Sequence, residues 1–300
     1  VKSGSVSVIG RPNAGKSTLV NRIVGEKVAI VSDKPQTTRK RILGIARRPG
    51  AELALVDTPG IHRPEYRMNA AMVRDATDAL QTSDVVLCVM DAAGKPGTGD
   101  DFVLSLVSKA GSPAILALSK IDLVPKESLL PMIAGFAGRG LFQEIVPVSA
   151  KTGDGVERLV DLLAERLPDG EASYPEDYLT ATPESEWIAE VIREKLLERT
   201  REELPFASAV VVEAVREDEA KGLSVVTASI VVEREGQKGI VVGKGGAMIR
   251  DIGTAARQEL EADTGRRFFL EVTVRVRSDW RDDEGFLSRI VADPSAPRRT

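Results

Sequence analysis

Between residues 5 and 168, short β-branched runs alternate with longer amphipathic or polar stretches. The apolar runs fall at 5–9, 41–47, 52–56, 84–90, 114–118 and 144–148, each of strand length. Helical spacing fits between them at 17–24, 68–81, 100–109, 129–136 and 155–166. Strands and helices in alternation predict an α/β domain with a mainly parallel sheet. From 167 to 183 the chain is rich in Pro, Gly, Glu, Ser and Thr and loses its period, which reads as a linker. The pattern then changes. Trp187, Ile188, Val191, Ile192 and Leu196 recur at helical spacing within 185–203. Two strands at 207–216 and 224–233 flank the polar turn 217–222, and a glycine cluster at 243–246 precedes a helix running to about 263. A strand at 267–276 completes an α-β-β-α-α-β order. The expected divisions are therefore an α/β domain over 1–168, a linker over 169–183, an α+β domain with a C-terminal helix over 184–292, and a disordered tail over 293–300.

Composition changes this picture little. The chain of 300 residues is 42% hydrophobic and 29% charged, which is ordinary for a globular protein. Its longest apolar run, 85–90, is too short to cross a bilayer. The opening residues carry no signal-peptide pattern, and a start at Val1 suggests that residues precede it. Cys88, the single cysteine, sits in an apolar strand pattern and reads as a core residue fitting a reducing cytosol. Net charge is −4, and from residue 183 onward 19 Lys/Arg face 23 Asp/Glu. Any nucleic-acid contact must therefore use a local basic surface, because the overall field is repulsive.

The first candidate chemistry is Gly10-Arg11-Pro12-Asn13-Ala14-Gly15-Lys16-Ser17, a G-x-x-x-x-G-K-[ST] loop placed after a strand and before a helix. Glycines let successive amides, including those of Asn13, Ala14, Gly15 and Thr18, face phosphates at a helix N-terminus. Lys16 adds a charge at the β- and γ-phosphates, and Ser17 can ligate Mg²⁺. Asp57-Thr58-Pro59-Gly60 ends the third strand, with Asp57 at the metal and the Gly60 amide toward the γ-phosphate. Ser119-Lys120-Ile121-Asp122 follows the fifth strand. There Asp122 can accept from the two guanine donors that adenine lacks, and the Lys120 stem can lie along the base. Ser149-Ala150-Lys151 follows the sixth strand and offers amides to the guanine O6. Pro35-Gln36-Thr37-Thr38-Arg39 supplies a first switch, with Thr38 as second Mg²⁺ ligand. Lys16, Thr38 and Gly60 are the groups expected to stabilise and position the reacting phosphate. His62, the one histidine, reads as a solvent-facing loop residue and not as a base.

The second candidate is Val241-Val242-Gly243-Lys244-Gly245-Gly246-Ala247-Met248-Ile249, which matches the KH pattern of an apolar pair, G-x-x-G and a spaced Ile. Such a loop joins two helices tightly enough for a nucleic-acid backbone to approach its amides, and the cleft admits about four nucleotides of a single strand. In the α-β-β-α-α-β order it predicts a type II KH domain. Gly243, Lys244, Gly245 and Gly246 form the loop, Lys238 and Arg250 extend its basic rim, and Ile240, Val242 and Ile249 divide between core and cleft floor. Trp280 reads as closing the core under the C-terminal helix, in preference to stacking on a base.

Taken in order along the chain, these motifs resemble the translation-factor-related P-loop GTPases, and their spacing over about 5–290 is similar to the Era family of KH-domain ribosome-assembly GTPases. The resemblance implies GTP hydrolysis with Mg²⁺, and binding of the 3′ end of 16S rRNA during assembly of the small (30S) ribosomal subunit. It further implies a monomer in the bacterial cytoplasm. Peripheral association with the inner face of the membrane is part of that expectation, although no Lys/Arg-rich amphipathic anchor is present. In relatives activated by potassium an Asn at the position of Asn13 ligates K⁺, and the same is expected here. Two positions depart from the wider GTPase pattern. Ser119 replaces the usual Asn, which predicts reduced affinity, and Ile61 stands where many switches place a water-orienting Gln. A hydrophobic residue is usual for Era relatives at that place, so a slow intrinsic rate is expected. These departures also suggest an RNA-binding module with a degenerate nucleotide site, but the intact Lys16, Ser17, Thr38, Asp57 and Asp122 argue against it. A single phosphate loop and an intact G-x-x-G exclude the double-GTPase assembly factors.

Overall fold

The computed structural model describes residues 1–34, 36–61, 66–95 and 97–290; Pro35, His62 and the expected tail at 293–300 lie outside the described residues. The chain divides into two compact units, Val1–Ala181 and Thr182–Thr300.

The first unit runs β1 (Lys2–Gly10), α1 (Lys16–Val24), β2 (Ile42–Arg48), β3 (Ala51–Asp57), α2 (Arg67–Thr82), β4 (Val85–Asp91), α3 (Thr98–Val107), β5 (Ala114–Ser119), α4 (Leu129–Ala137), β6 (Glu144–Pro147) and α5 (Val156–Arg166). Six strands form one sheet in the order β2-β3-β1-β4-β5-β6, with β2 antiparallel to β3 and the remaining pairs parallel. Strand residues alternate between two cores, as a period of two requires. Val6, Val8, Leu87, Val89, Ile115 and Ala117 join α1 and α5 on one face, while Ile9, Val86, Cys88, Leu116 and Leu118 join α2 and α3 on the other. Cys88 is buried there, and burial pushes its thiol up to about 12, so it stays protonated and inert.

The expected linker is not a bare spacer over its first part. Residues 169–181 lie along the first unit. Gly170 N donates to Val1 O at 2.9 Å, Ile45 N to Leu179 O at 2.8 Å, and Gly44 bridges Thr180. Arg47 donates to the carbonyls of Tyr178 (3.0 Å) and Pro175 (2.5 Å), and Ser173 N donates to the buried Glu52 at 2.7 Å. Backbone groups and a few charged side chains, Arg47 and Glu52 chief among them, make this hold, so hydropathy carries no trace of it.

The second unit runs α6 (Glu184–Arg199), α7 (Leu204–Ala207), β7 (Ser208–Asp218), β8 (Leu223–Val232), α8 (Glu235–Val242), α9 (Ala247–Thr264), β9 (Arg267–Val276) and α10 (Glu284–Ile290). The helix expected over 185–203 stops at Arg199, where Thr200 Oγ1 folds back onto Leu196 O at 2.7 Å and Glu202 adopts φ 58°. The sheet order is β7-β8-β9, antiparallel then parallel, as the type II KH arrangement requires. Ile188, Val191, Ile192 and Leu196 of α6 and Ile252, Ala256 and Leu260 of α9 cover one sheet face. Trp280 is fully buried, donates to Ala207 O at 3.1 Å and meets Phe286 edge to face. It therefore seals the C-terminal segment and is not available to a base.

Candidate nucleotide and RNA sites

β1, β3, β4 and β5 deliver their last residues to one edge of the first sheet, and the phosphate loop is built there. The loop fits only glycine at its entry, because a Cβ on Gly10 would lie 2.4 Å from Val89 O. Gly15 turns the chain into α1 at φ 93°. Lys16 Nζ curls within the loop and donates to Gly10 O (3.3 Å) and Arg11 O (3.1 Å). Burial pushes its ammonium below the ordinary range against the pull of Asp57, and pushes the Asp57 carboxyl up against the pull of Lys16. Phosphate oxygens and a divalent cation are the groups that would restore both charged forms.

Ser17, Thr38 and Asp57 converge on one point. Ser17 Oγ donates to Asp57 Oδ2 at 2.6 Å, Thr38 Oγ1 lies 2.9 Å from Ser17 Oγ, and Thr38 Oγ1 donates to Asp57 Oδ2 at 3.3 Å. Asp57 Oδ1 is buried with no hydrogen-bond partner among the described residues. An octahedral Mg²⁺ with bonds of about 2.1 Å holds neighbouring oxygens about 3 Å apart. The hydroxyl separation and the orphaned carboxylate oxygen fit that ion. Behind the site, Thr58 Oγ1 donates to Val8 O at 2.7 Å and Ile61 N to Gly10 O at 3.1 Å, which pins the segment after β3 to the phosphate loop. Gly60 is required by that approach, since a Cβ there would lie 2.7 Å from the Pro12 Cα. Ile61 itself is 1% exposed and packs with Ile9, Ala76 and Leu80. Its side chain belongs to the core and has no route to a water molecule.

At the base end, Ser119 Oγ lies 2.6 Å from Ala14 O and 3.1 Å from Met90 O. The hydroxyl thus ties β5 to the phosphate loop, a support the sequence pattern did not credit to a serine. Lys120, at φ 59°, spans Asn13 O and Asp91 Oδ2, both at 2.7 Å. Asp91 was not among the expected site residues; its signal is its place at the C-terminal end of β4, on the same sheet edge. Ser149 Oγ donates to Asp122 Oδ1 at 2.7 Å and orients that carboxylate. The Ser149 amide donates to Asp154 O at 2.9 Å, so its contribution is the hydroxyl, and Ala150 and Lys151 follow in the turn. Asn13, at φ 63°, donates its side-chain amide to Asp33 O at 2.5 Å. A pocket of about 420 Å³ opens among Lys16, Ser17, Thr18, Thr38, Gly60 and Lys120.

In the second unit, α8 and α9 are joined by Gly243, Lys244, Gly245 and Gly246 alone. Gly243 (φ 70°) sits so close to α9 that a Cβ would lie 2.8 Å from the Met248 Cβ, whereas Gly245 (φ 58°) faces open space. The loop's backbone is therefore approachable at Lys244 and Gly245, both exposed. Val241 turns into the core and Ile240 is 56% exposed, with Val242 and Ile249 half-buried between. The Arg250 guanidinium lies beside Gly246, and Lys238 sits 3.8 Å from Glu235.

Comparison with known proteins agrees with both halves. Residues 5–120 match the family described as 50S ribosome-binding GTPase, and 203–281 match the KH domain. The GTPase Era of Geobacter metallireducens is 49% identical over 96% of this chain and 97% of its own. That of Geotalea uraniireducens is 49% identical over 95% and 96%. An Era solved in complex with MgGDPNP and nucleotides 1506–1542 of 16S ribosomal RNA superposes with a TM-score of 0.94 at 37% identity, covering 97% of this chain and 98% of that one. An Aquifex aeolicus Era variant bound to GDP and aluminium fluoride gives 0.93 at 37% identity, over 97% and 99%. With a GTPase domain in the first unit, a KH fold in the second and this degree of identity along nearly the whole length, the chain belongs to the Era family of GTPases.

Proposed function

We propose that the chain is a slow GTPase switch that binds the single-stranded 3′ end of 16S rRNA through its KH unit and so assists assembly of the 30S subunit. The observation that carries this is the pairing, in one chain, of the converging Ser17, Thr38 and Asp57 side chains with a G-K-G-G loop exposed at Lys244 and Gly245. The fold shared with an Era solved on MgGDPNP and 16S RNA supports the choice of ligand. Within this reading Ser17 and Thr38 ligate Mg²⁺, and Asp57 holds it. Mg²⁺ supplies charge neutralisation across the β- and γ-phosphates. Lys16 and the Gly60 amide hold the γ-phosphate, the amides from Asn13 to Thr18 cradle the chain of phosphates, and Asp122 reads guanine while Lys120 lies along it. Ser119, Ser149, Ala150 and Lys151 complete the base site. With Ile61 in the core, attack by water relies on backbone positioning, which makes turnover slow. Asn13, whose side chain lies at the phosphate loop against the first switch, would be the residue to hold K⁺ beside the phosphates, where the cation would add positive charge. On the RNA side, the loop from Gly243 to Gly246 receives the backbone, Lys244, Lys238 and Arg250 meet phosphates, and Ile240, Val242 and Ile249 floor the cleft. The protein acts as a monomer in the cytoplasm.

The test is GTP turnover with and without a short single-stranded RNA copy of the 3′ end, in potassium buffer. Acceleration that disappears in Lys244→Asp and Gly245→Asp establishes RNA-coupled hydrolysis. Turnover unaffected by RNA, despite measured binding, refutes the coupling. Equal rates in sodium and potassium refute the role of Asn13.

A further inference from the structure

Three of the contacts that fasten the first switch lie among the described residues. Asn13 Nδ2 donates to Asp33 O at 2.5 Å, and Thr38 Oγ1 meets Ser17 Oγ and Asp57 Oδ2 at 2.9 and 3.3 Å. Both contacts lie at the nucleotide's edge, where phosphate and metal claim the same atoms. The third contact lies between them in sequence and needs only protein. Gln36 Nε2 donates to Asn69 Oδ1 at 3.4 Å. Asn69 stands in the first turn of α2, the helix that follows the Asp57–Gly60 segment, and is 1% exposed; Gln36 is 9% exposed. Gln36 also lines the nucleotide pocket beside Thr38 and Gly60. Its backbone is left-handed, φ 61°, a conformation unfavourable for a non-glycine residue that persists only where surroundings hold it. Both amides are buried, so the hydrogen bond between them is shielded from competing water.

We infer that Asn69 is a positioning residue of the GTPase reaction, acting through Gln36. The amide pair latches the segment carrying Thr38 onto α2, and so holds Thr38 over the metal point. The inference rests on the reading of Thr38 as a Mg²⁺ ligand. The first switch is ordered by γ-phosphate and Mg²⁺ and released on hydrolysis. A contact made only in the closed arrangement lowers the free energy of closing, and the triphosphate gains that bias because it binds the closed form; the diphosphate does not. Asn69 thereby tunes how strongly the chain prefers GTP over GDP, from a helix face that touches neither.

The test uses the full chain carrying Asn69→Ala, Gln36→Ala, both together, and Thr38→Ala. Affinities for GDP and for GDPNP are measured with Mg²⁺ by fluorescent-nucleotide titration, alongside single-turnover GTP hydrolysis. Each latch variant is expected to weaken GDPNP about 3- to 10-fold, the worth of one hydrogen bond, while GDP stays within about 2-fold. The single-turnover rate should fall by a similar factor, and the double variant should lose no more than either single one. Equal weakening of GDP and GDPNP, unchanged affinities, or a double variant that loses the product of both effects overturns the latch. Should Asn69→Ala fail to fold, Asn69→Ser, which keeps a polar group but withdraws it from Gln36, takes its place, because Gln36 also lines the pocket and its variant alone would not separate the latch from a direct contact with nucleotide. A Thr38→Ala variant with an unchanged GDPNP-to-GDP ratio refutes the ligand reading. A lowered ratio there, with both latch variants like wild type, refutes the latch only.

Discussion

At the scale of single residues, the two departures from the wider GTPase pattern resolve differently. Ser119 remains a structural tie, with its hydroxyl on the phosphate loop. Ile61 has left the site, its side chain entering the core between β1 and α2. Replacing it with the glutamine that other switches carry should therefore gain nothing. We expect Ile61→Gln to leave GTP turnover no faster and to lower unfolding stability by roughly 2–4 kcal/mol, the cost of burying an amide without partners. Denaturant unfolding beside a turnover assay checks both halves; a rate increase would mean that the side chain swings out to the nucleotide.

Polar contacts at element ends add to the apolar faces that hold the second unit. Glu261, near the end of α9, accepts from Phe268 N at 3.1 Å at the start of β9 and from Arg257 at 2.7 Å. The backbone bond, with Arg257 adding to it, holds this carboxyl below the ordinary value of 4.5. Its contribution is thus fully present above that value and is lost as pH falls through the lower folded one. The thermal midpoint should decline on acidification below about pH 4.5, and Glu261→Gln should flatten that part of the curve. Because the group is only partly buried, the effect will be small and weakened by salt. The loop between α8 and α9 obeys a different constraint, since Gly243 answers to the closeness of Met248 and Gly245 to backbone handedness alone.

For the molecule as a whole, the notable feature is how the chain leaves the first unit. Residues 169–181 start beside the first residues of the chain and end along β2, the strand that follows the first switch, gathered by Arg47 and the buried Glu52. Removing the guanidinium leaves a carboxylate that is 4% exposed without its counter-ion. Arg47→Ala should cost roughly 2–4 kcal/mol, less than a fully buried pair because the arginine keeps partial contact with solvent. It should also raise protease sensitivity within 169–181. Calorimetry and limited proteolysis measure the two effects, and an unchanged midpoint would show that backbone pairing alone holds the segment.

Much of this was legible beforehand, for identifiable reasons. The strand and helix periods, the phosphate loop, the Asp57 and Asp122 segments and the G-K-G-G loop are local patterns. Each asks for a residue type at a fixed chain spacing, and the fold follows from their order. The chain alone could also tell that Asp57 and Ser17 end or begin elements on one sheet edge. What only tertiary structure decided were contacts between residues far apart in sequence that leave no period. These are the turning of Ile61 into the core, the Gln36–Asn69 pair across 33 positions, Asp91 under Lys120, and the polar hold on 169–181. Hydrogen bonds of that kind depend on where a few atoms meet in space, and hydropathy and spacing record only which side of an element a residue faces.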